Sequence, residues 1–195
     1  MATQSAATQL AIADQMTVEE FLGFYDVRPD GEKWELIEGI AVMSPSPTDW
    51  HQRIILNLSS ALDRAKLASG ASWMPLLGVG TRVPISQNSL PQPDLFVKAG
   101  PMTGKSLTDD GLVIFEVLSP SNTKADQAWR RRVYASVPNC LHYVTVATKS
   151  ASAVRYDRAT GWQPVAVNGL AATLELPCID VSVPLAEVYR WTPIC

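Results

Sequence analysis

Leu112-Val113-Ile114-Phe115-Glu116-Val117-Leu118 is the most hydrophobic strand-like stretch of the chain. Apolar residues stand at odd and even positions alike, which is typical of a central strand buried on both faces. Ser119-Pro120 ends this strand. The fold is therefore expected to form around one buried strand at the middle of the sequence.

Three helices are predicted around this strand. Thr17 and Glu20 form a capping-box pattern, which begins a short helix that ends near Tyr25. The clearest helix covers Asp49 to Leu67, with one apolar face, Asp49 as its N-cap and Gly70 at its end. A further helix is predicted from Lys124 to Ala135.

The remaining segments predict an α/β (α+β) domain in which one sheet is joined by a crossover helix. Two short strands are expected around Glu38-Gly39, others over 73–77, 81–85, 94–97, 142–146, 153–156, 162–167 and 172–176, and a helical turn over 184–189. Residues 100–110 are predicted to be a loop, residues 1–15 a frayed tail, and residues 16–195 a single domain.

Composition limits the classes of function. The chain has 195 residues, 47% of them hydrophobic and 18% charged, with a net charge of −3. No basic excess exists of the kind that non-specific nucleic-acid binders carry, so any nucleic-acid contact requires a local patch. We find no membrane span and no secretory signal, and the three widely spaced cysteines show no zinc pattern. A cytoplasmic protein is expected.

Two carboxylates stand inside apolar segments. Glu116 lies within the buried strand, and Asp94 begins the apolar stretch that follows Pro93. A buried carboxylate costs several kcal/mol unless a cation or a hydrogen-bond network satisfies it. Carboxylates on neighbouring strands suit one hard cation such as Mg²⁺, while local arginines or backbone amides are the structural alternative.

The order of several motifs resembles the Uma2 (DUF820) family of restriction endonucleases in the PD-(D/E)XK superfamily. They are Pro93-Asp94, Glu116-Val117-Leu118-Ser119-Pro120-Ser121, Asp126 with Arg130 and Tyr134, Trp34-Glu35-Leu36-Ile37-Glu38-Gly39, His51, Val137-Pro138, and Pro184-Leu185-Ala186-Glu187-Val188-Tyr189. The resemblance extends from about Met16 to Tyr189.

The resemblance implies a restriction-endonuclease-like core, a mixed sheet flanked by helices, with an N-terminal hairpin and a C-terminal β extension. It implies Asp94 and Glu116 as ligands of Mg²⁺ or Mn²⁺, phosphodiester hydrolysis in DNA, and a homodimer. Glu35 is a third candidate acid, with pairing to Lys33 as its alternative. His51 and Tyr134 are interpreted as packing residues, with a catalytic role as the alternative.

The chain departs from the superfamily pattern at Leu118, where a lysine is expected. The resemblance offers Arg130, four residues after Asp126, as the replacement. Arginine stabilises phosphate charge but does not act as a base. Lys124 is the second candidate, and a solvated helix face is the alternative for Arg130-Arg131-Arg132. A catalytically weakened nuclease that binds nucleic acid or protein is therefore the competing hypothesis, whereas a serine hydrolase finds no GxSxG motif to support it.

Overall fold

The computed structural model describes residues 10–12, 15–29, 31–105, 107–120 and 122–194. Its helices are α1 (Val18–Tyr25), α2 (Asp49–Ser69), α3 (Lys124–Ala135) and α4 (Leu185–Val188). Its strands are β1 (Leu10–Ile12), β2 (Lys33–Ile37), β3 (Ile40–Ser44), β4 (Met74–Leu77), β5 (Gly80–Thr81), β6 (Leu95–Lys98), β7 (Leu107–Thr108), β8 (Gly111–Leu118), β9 (His142–Ala147), β10 (Ser152–Asp157), β11 (Gln163–Asn168), β12 (Thr173–Leu176) and β13 (Val181–Pro184).

The main sheet has six strands in the order β11-β10-β9-β8-β6-β4. The pair β8 and β9 is parallel, and the other neighbours are antiparallel. Helix α3 makes the crossover between the two parallel strands, as parallel pairing requires. The α/β (α+β) fold with a mixed sheet flanked by helices is confirmed, and β8 lies inside the sheet.

The two faces of β8 pack against different layers because side chains alternate along a strand. Val113, Phe115 and Val117 belong to the core that α2, α4 and the β12–β13 hairpin cover. Ile114 belongs to the opposite core, which includes Tyr134 of α3. Glu116 has the same parity as Ile114 and therefore lies on the α3 side.

The N-terminal hairpin forms a separate three-stranded sheet in the order β1-β3-β2. Its turn at Glu38-Gly39 has positive φ at both residues, 50° and 86°, which is the geometry of a tight hairpin. The hairpin is joined to the rest of the domain through Leu36, which exchanges backbone hydrogen bonds with Leu90. This contact places one face of β2 toward the main sheet.

The helix ends follow the predicted chemistry with one exception. Thr17 and Glu20 form both hydrogen bonds of the capping box, and Gly70 ends α2 in the left-handed conformation at φ 66°. The N-cap of α2 is Thr48 and not Asp49, because the Thr48 hydroxyl accepts the backbone N–H of His51 at 3.3 Å. No helix in the described part of the chain is long and apolar enough to cross a membrane.

The short strands account for the wrong strand predictions. In the predicted strand 81–85 only Thr81 is in β5, which pairs with β7 inside the predicted loop 100–110. Strand β13 is not among the predicted strands. Residues 10–12 of the predicted tail pair with β3, while residues 1–9, 13 and 14 lie outside the described residues. Strands β1, β5 and β7 depend on partners that are distant in sequence, so local periodicity gives little sign of them.

Candidate active site

Glu116 lies on β8, and Asp94 directly precedes the adjacent antiparallel strand β6, which begins at Leu95 and not at Asp94 as predicted. Leu95 pairs with Phe115, so the same register continued by one residue sets Asp94 opposite Glu116. Asp94 Oδ2 also accepts the backbone N–H of Val117 at 2.9 Å, which ties its side chain to β8. The two acids predicted from sequence are therefore brought to one end of the β6–β8 pair.

Two basic side chains contact Asp94. Lys33 Nζ lies 2.9 Å from Oδ1, and His51 Nε2 lies 3.3 Å from Oδ2. Burial favours the protonated acid, but the His51 hydrogen bond and the Lys33 charge outweigh it and hold the pKa of Asp94 well below its usual range. Asp94 is therefore ionised at neutral pH.

The contacts of Glu116 are concentrated on one of its oxygens. Oε1 accepts hydrogen bonds from Arg130 Nη1 at 2.8 Å and from the Tyr134 hydroxyl at 2.6 Å. Oε2 accepts none from the part of the chain that the structure describes. Burial raises the pKa of Glu116 to about 7 against the opposing charge of Arg130, and the carboxylates of Asp94 and Glu35 add to the rise.

Glu35 and Arg130 form a buried bidentate pair. Nη1 and Nη2 of Arg130 lie 3.1 and 2.7 Å from Oε1 and Oε2 of Glu35, and Gln92 donates its backbone N–H to Oε1 at 2.7 Å. Glu35 is 2% exposed and Arg130 6% exposed. Burial raises the pKa of Glu35, but Arg130 more than offsets this, so the pKa is lowered and the pair is charged.

The side chains of the three consecutive arginines point in different directions, because each residue along a helix is rotated by about 100° from the one before it. Arg130 enters the acid cluster, Arg131 lies over the ring of Tyr156, and Arg132 pairs with Glu38 at 3.1 Å. Lys124 is exposed at the start of α3 and lines a surface cleft instead of contacting the acids. Of the predicted site residues, Asp94, Glu116, Glu35 and Arg130 therefore meet, and Lys124 does not join them.

Lys33 is a basic residue of the site that the sequence-based prediction omits. The sequence suggested it as a partner of Glu35, but its ammonium pairs with Asp94 instead. A signal was available: Lys33 and Glu35 are two residues apart in β2, and residues at that spacing share a strand face. Tyr134, expected to be core, is fully buried and also donates to Glu116.

Asp94 and Glu116 match the smallest set of protein ligands with which a hard divalent cation is bound. No group of three or more His, Cys, Asp or Glu side chains is arranged as a metal site among the described residues. Mg²⁺, however, is commonly bound by one or two carboxylates, with waters and substrate phosphate as the other ligands. Asp94 is ionised, and Glu116 retains one oxygen without a described hydrogen bond, so these two residues meet that requirement.

Comparisons with known proteins agree with this architecture. Residues 18–186 match a family model named Uma2, described as "Putative restriction endonuclease". A solved structure described as "a putative nuclease belonging to DUF820 from Anabaena variabilis ATCC 29413" superposes with a TM-score of 0.73 and 14% sequence identity. The superposition covers 90% of this chain and 98% of the other, and at this identity it shows the fold alone. None of the curated proteins compared with the chain matches it.

Proposed function

The chain belongs to the Uma2 family, and we propose from this premise that it hydrolyses phosphodiester bonds in DNA with Mg²⁺ or Mn²⁺. The observation that carries the proposal is the pair of Glu116 on β8 and Asp94 at the start of the adjacent β6, with Asp94 held to the backbone of Val117 at 2.9 Å. An ionised acid and a second acid beside it form the smallest protein site that a hard cation needs.

Asp94 and Glu116 would hold the cation. When bound, such a cation lowers the pKa of a water molecule and neutralises charge on the phosphate. Asp94 offers a carboxylate that is ionised throughout the neutral range. Glu116 offers Oε2, because its other oxygen is occupied by Arg130 and Tyr134.

Lys33 is the proposed phosphate-contacting cation. Its ammonium lies 2.9 Å from Asp94, and its side chain is 35% exposed, whereas that of Arg130 is 8% exposed. A half-exposed ammonium on a flexible stem can turn from Asp94 to a substrate phosphate, while His51 and the Val117 N–H still contact Asp94. Lys33 would thus supply the charge that the superfamily lysine supplies at the position of Leu118.

Arg130 is proposed as a positioning residue and not as a phosphate ligand. Its guanidinium is already engaged by Glu35 and Glu116 and is almost fully buried. Together with the Tyr134 hydroxyl it fixes the rotamer of Glu116, so that Oε2 faces away from the arginine. Glu35 would act one step further back, by orienting Arg130 from the β2 strand.

Plasmid cleavage tests this proposal. Supercoiled plasmid is incubated with the pure protein in Mg²⁺, in Mn²⁺ and in EDTA, beside Asp94→Asn and Glu116→Gln. Both substitutions keep the size of the side chain and one acceptor oxygen while removing the charge, and Asp63→Asn on the exposed side of α2 is the matched control. Metal-dependent nicking that both site variants lose and the control keeps supports the proposal. Nicking in EDTA, or nicking by Asp94→Asn, contradicts it.

A weakened, non-cleaving relative is the second candidate, and one observation favours it. The acids are already compensated by internal cations, since Arg130 contacts Glu35, Glu116 and Asp126. Acids compensated in this way need no metal to remain buried, because each already has a cation as its partner. Absence of nicking by the wild type, together with tight DNA binding, would favour this candidate.

A homodimer and a cytoplasmic location are part of the proposal. Two copies related by a two-fold axis would present one site to each DNA strand, as double-strand cleavage requires. Light scattering on the pure protein tests the assembly. Cys140 and Cys178 are free thiols in the structure, which supports a reducing compartment.

A further inference from the structure

A basic cleft lies on the outer side of α3, apart from the acid cluster. It has a volume of about 190 Å³ and is lined by Lys124, Gln127, Ala128, Arg131 and Tyr156. Lys124 and Arg131 are seven residues apart, which is close to two helical turns, so they project on one face about 10 Å apart along the axis. The cleft thus carries two cations in a row.

These cations are not compensated by the protein. Within the described residues neither Lys124 nor Arg131 forms an ion pair, and the nearby carboxylate of Asp126 is turned toward Arg130 and Asn122. The neighbouring Arg132, by contrast, is paired with Glu38. On a chain with net charge −3, this is the kind of local positive patch that an anionic partner requires.

An aromatic platform forms the base of the cleft. The Tyr156 ring stacks on Tyr143 at 5.7 Å and 20°, which holds it in one orientation. The Arg131 guanidinium lies 5.2 Å from the Tyr156 ring centroid. A guanidinium held over a ring in this way offers a flat, charged surface to a nucleobase and its phosphate.

The sheet beside the cleft is uncovered. On the same face as Tyr156, β11 presents Pro164, which pairs with Tyr156 in register and is exposed. Helix α3 packs on β9 and reaches β10 through Arg131 and Tyr156, whereas β11 is exposed along most of its length. Glu116 on β8 is two strands from β10, a separation of roughly 10 Å at ordinary strand spacing. The cleft and the acid cluster therefore lie over the same face of the sheet, with α3 between them.

We propose that this cleft binds one strand of a nucleic acid, with Lys124 and Arg131 on its phosphate backbone and a base against the Arg131 guanidinium that lies over Tyr156. The inference rests on the proposed function, because it names a surface that would hold the nucleic-acid substrate of that site. Charge complementarity favours a polyanionic strand over an apolar segment of another protein. Lys124, which the sequence suggested as a catalytic lysine, acts here as a binding residue.

Salt-dependent binding tests the cleft without requiring catalysis. Fluorescence anisotropy of a fluorescein-labelled oligothymidine is measured in EDTA over a range of NaCl concentrations. The slope of log K against log salt is negative, and each phosphate contact that is lost reduces its magnitude by about 0.7 for a single strand. Lys124→Ala and Arg131→Ala are each expected to show this decrease, and Gln127→Lys to increase the magnitude of the slope. Arg132→Ala, one residue from Arg131 with the same change in charge, is the matched control.

The outcomes separate this inference from the proposed nuclease activity. Slopes for Lys124→Ala and Arg131→Ala equal to that of Arg132→Ala overturn the cleft, even if the wild type cleaves plasmid. The expected slopes, in a protein that cleaves nothing in Mg²⁺ or Mn²⁺, retain the cleft and remove the nuclease. A wild type that does not bind the oligonucleotide overturns the cleft. If the wild type is a dimer and Lys124→Ala or Arg131→Ala is a monomer in light scattering, the cleft contacts a second copy of the chain, and the proposed nucleic-acid binding is overturned.

Discussion

Arg130 Nη1 lies 2.8 Å from Glu116 Oε1 and, at the same time, 3.1 Å from Glu35 Oε1. One nitrogen thus links an acid of the main sheet to an acid of the N-terminal hairpin. The fork geometry of the guanidinium makes this possible, because its second nitrogen completes a bidentate pair with Glu35. The hairpin and the central strand are joined through charge at the position where the candidate metal ligands meet.

Removal of Arg130 is expected to destabilise the fold. Arg130→Ala leaves Glu35 and Glu116 buried without their main cation, and breaking a buried pair in this way costs about 3–5 kcal/mol. The free energy of unfolding is measured by urea denaturation. Arg132→Ala, which removes an exposed pair with Glu38, should cost less than about 1 kcal/mol. Equal effects of the two substitutions would show that the Arg130 pair is not a structural link.

Lysine at position 130 gives a graded form of the same test. Arg130→Lys keeps the charge but loses the fork that engages both oxygens of Glu35. We expect stability between that of the wild type and that of Arg130→Ala, and no gain in nicking rate. A higher nicking rate would instead mean that position 130 contacts the phosphate and that arginine is a handicap there.

Lys33 is expected to matter for activity more than for stability. Its side chain is partly exposed, so Lys33→Ala should lower unfolding free energy by about 1 kcal/mol or less. The nicking rate is expected to fall about 100-fold, the size of effect seen when one charge-stabilising donor is removed. Lys33→Arg should restore part of the rate, and Lys105→Ala in an exposed loop is the control. Full activity of Lys33→Ala would mean that another residue, and not Lys33, contacts the substrate phosphate.

Glu116 predicts a pH dependence of stability with a definite sign. Its pKa in the folded protein, about 7, is above the ordinary value of 4.5. The native state therefore binds the proton more tightly, so the stability that this group contributes is present below about pH 4.5 and is lost as pH rises through 7. Glu116→Gln carries no such charge.

The test compares Glu116→Gln with the wild type in EDTA at pH 5 and pH 8. The two proteins should be similar in stability at pH 5, and the variant should be the more stable one at pH 8 by an amount on the order of 1–3 kcal/mol. Groups elsewhere titrate in both proteins, so their contribution cancels in the difference between the two unfolding free energies. A constant difference across this range would mean that Glu116 titrates normally.

Metal binding should stabilise the folded protein measurably. Any ion that binds only the native state raises the melting temperature as its concentration exceeds the dissociation constant. Mn²⁺ is therefore expected to shift the thermal transition of the wild type and of Asp63→Asn, and to leave Asp94→Asn unshifted. Asparagine can still accept the Val117 N–H, so loss of the shift would reflect the lost charge and not a broken strand end. An equal shift in Asp94→Asn would place the Mn²⁺ elsewhere.

Local sequence determined those features whose physical cause lies within a few residues. The capping box of Thr17 and Glu20, the apolar face and glycine stop of α2, and the buried strand β8 all depend on neighbours that a short window contains. An acid in the middle of such a strand already required a cation or a network nearby. The presence of a charged site around Glu116 therefore follows from the amino-acid sequence by itself.

Tertiary structure decided how the cations of that site are paired with its acids. Lys33 meets Asp94 across 61 residues, and Arg130 meets Glu35 across 95. Spacing along the chain does not encode such distances, since they follow from how the hairpin docks on the sheet. The same holds for Lys124. Its position in the sequence suggested a place near the acids, but the orientation of α3 puts it in the outer cleft. Periodicity sets the face on which a side chain lies, and only packing sets what that face meets.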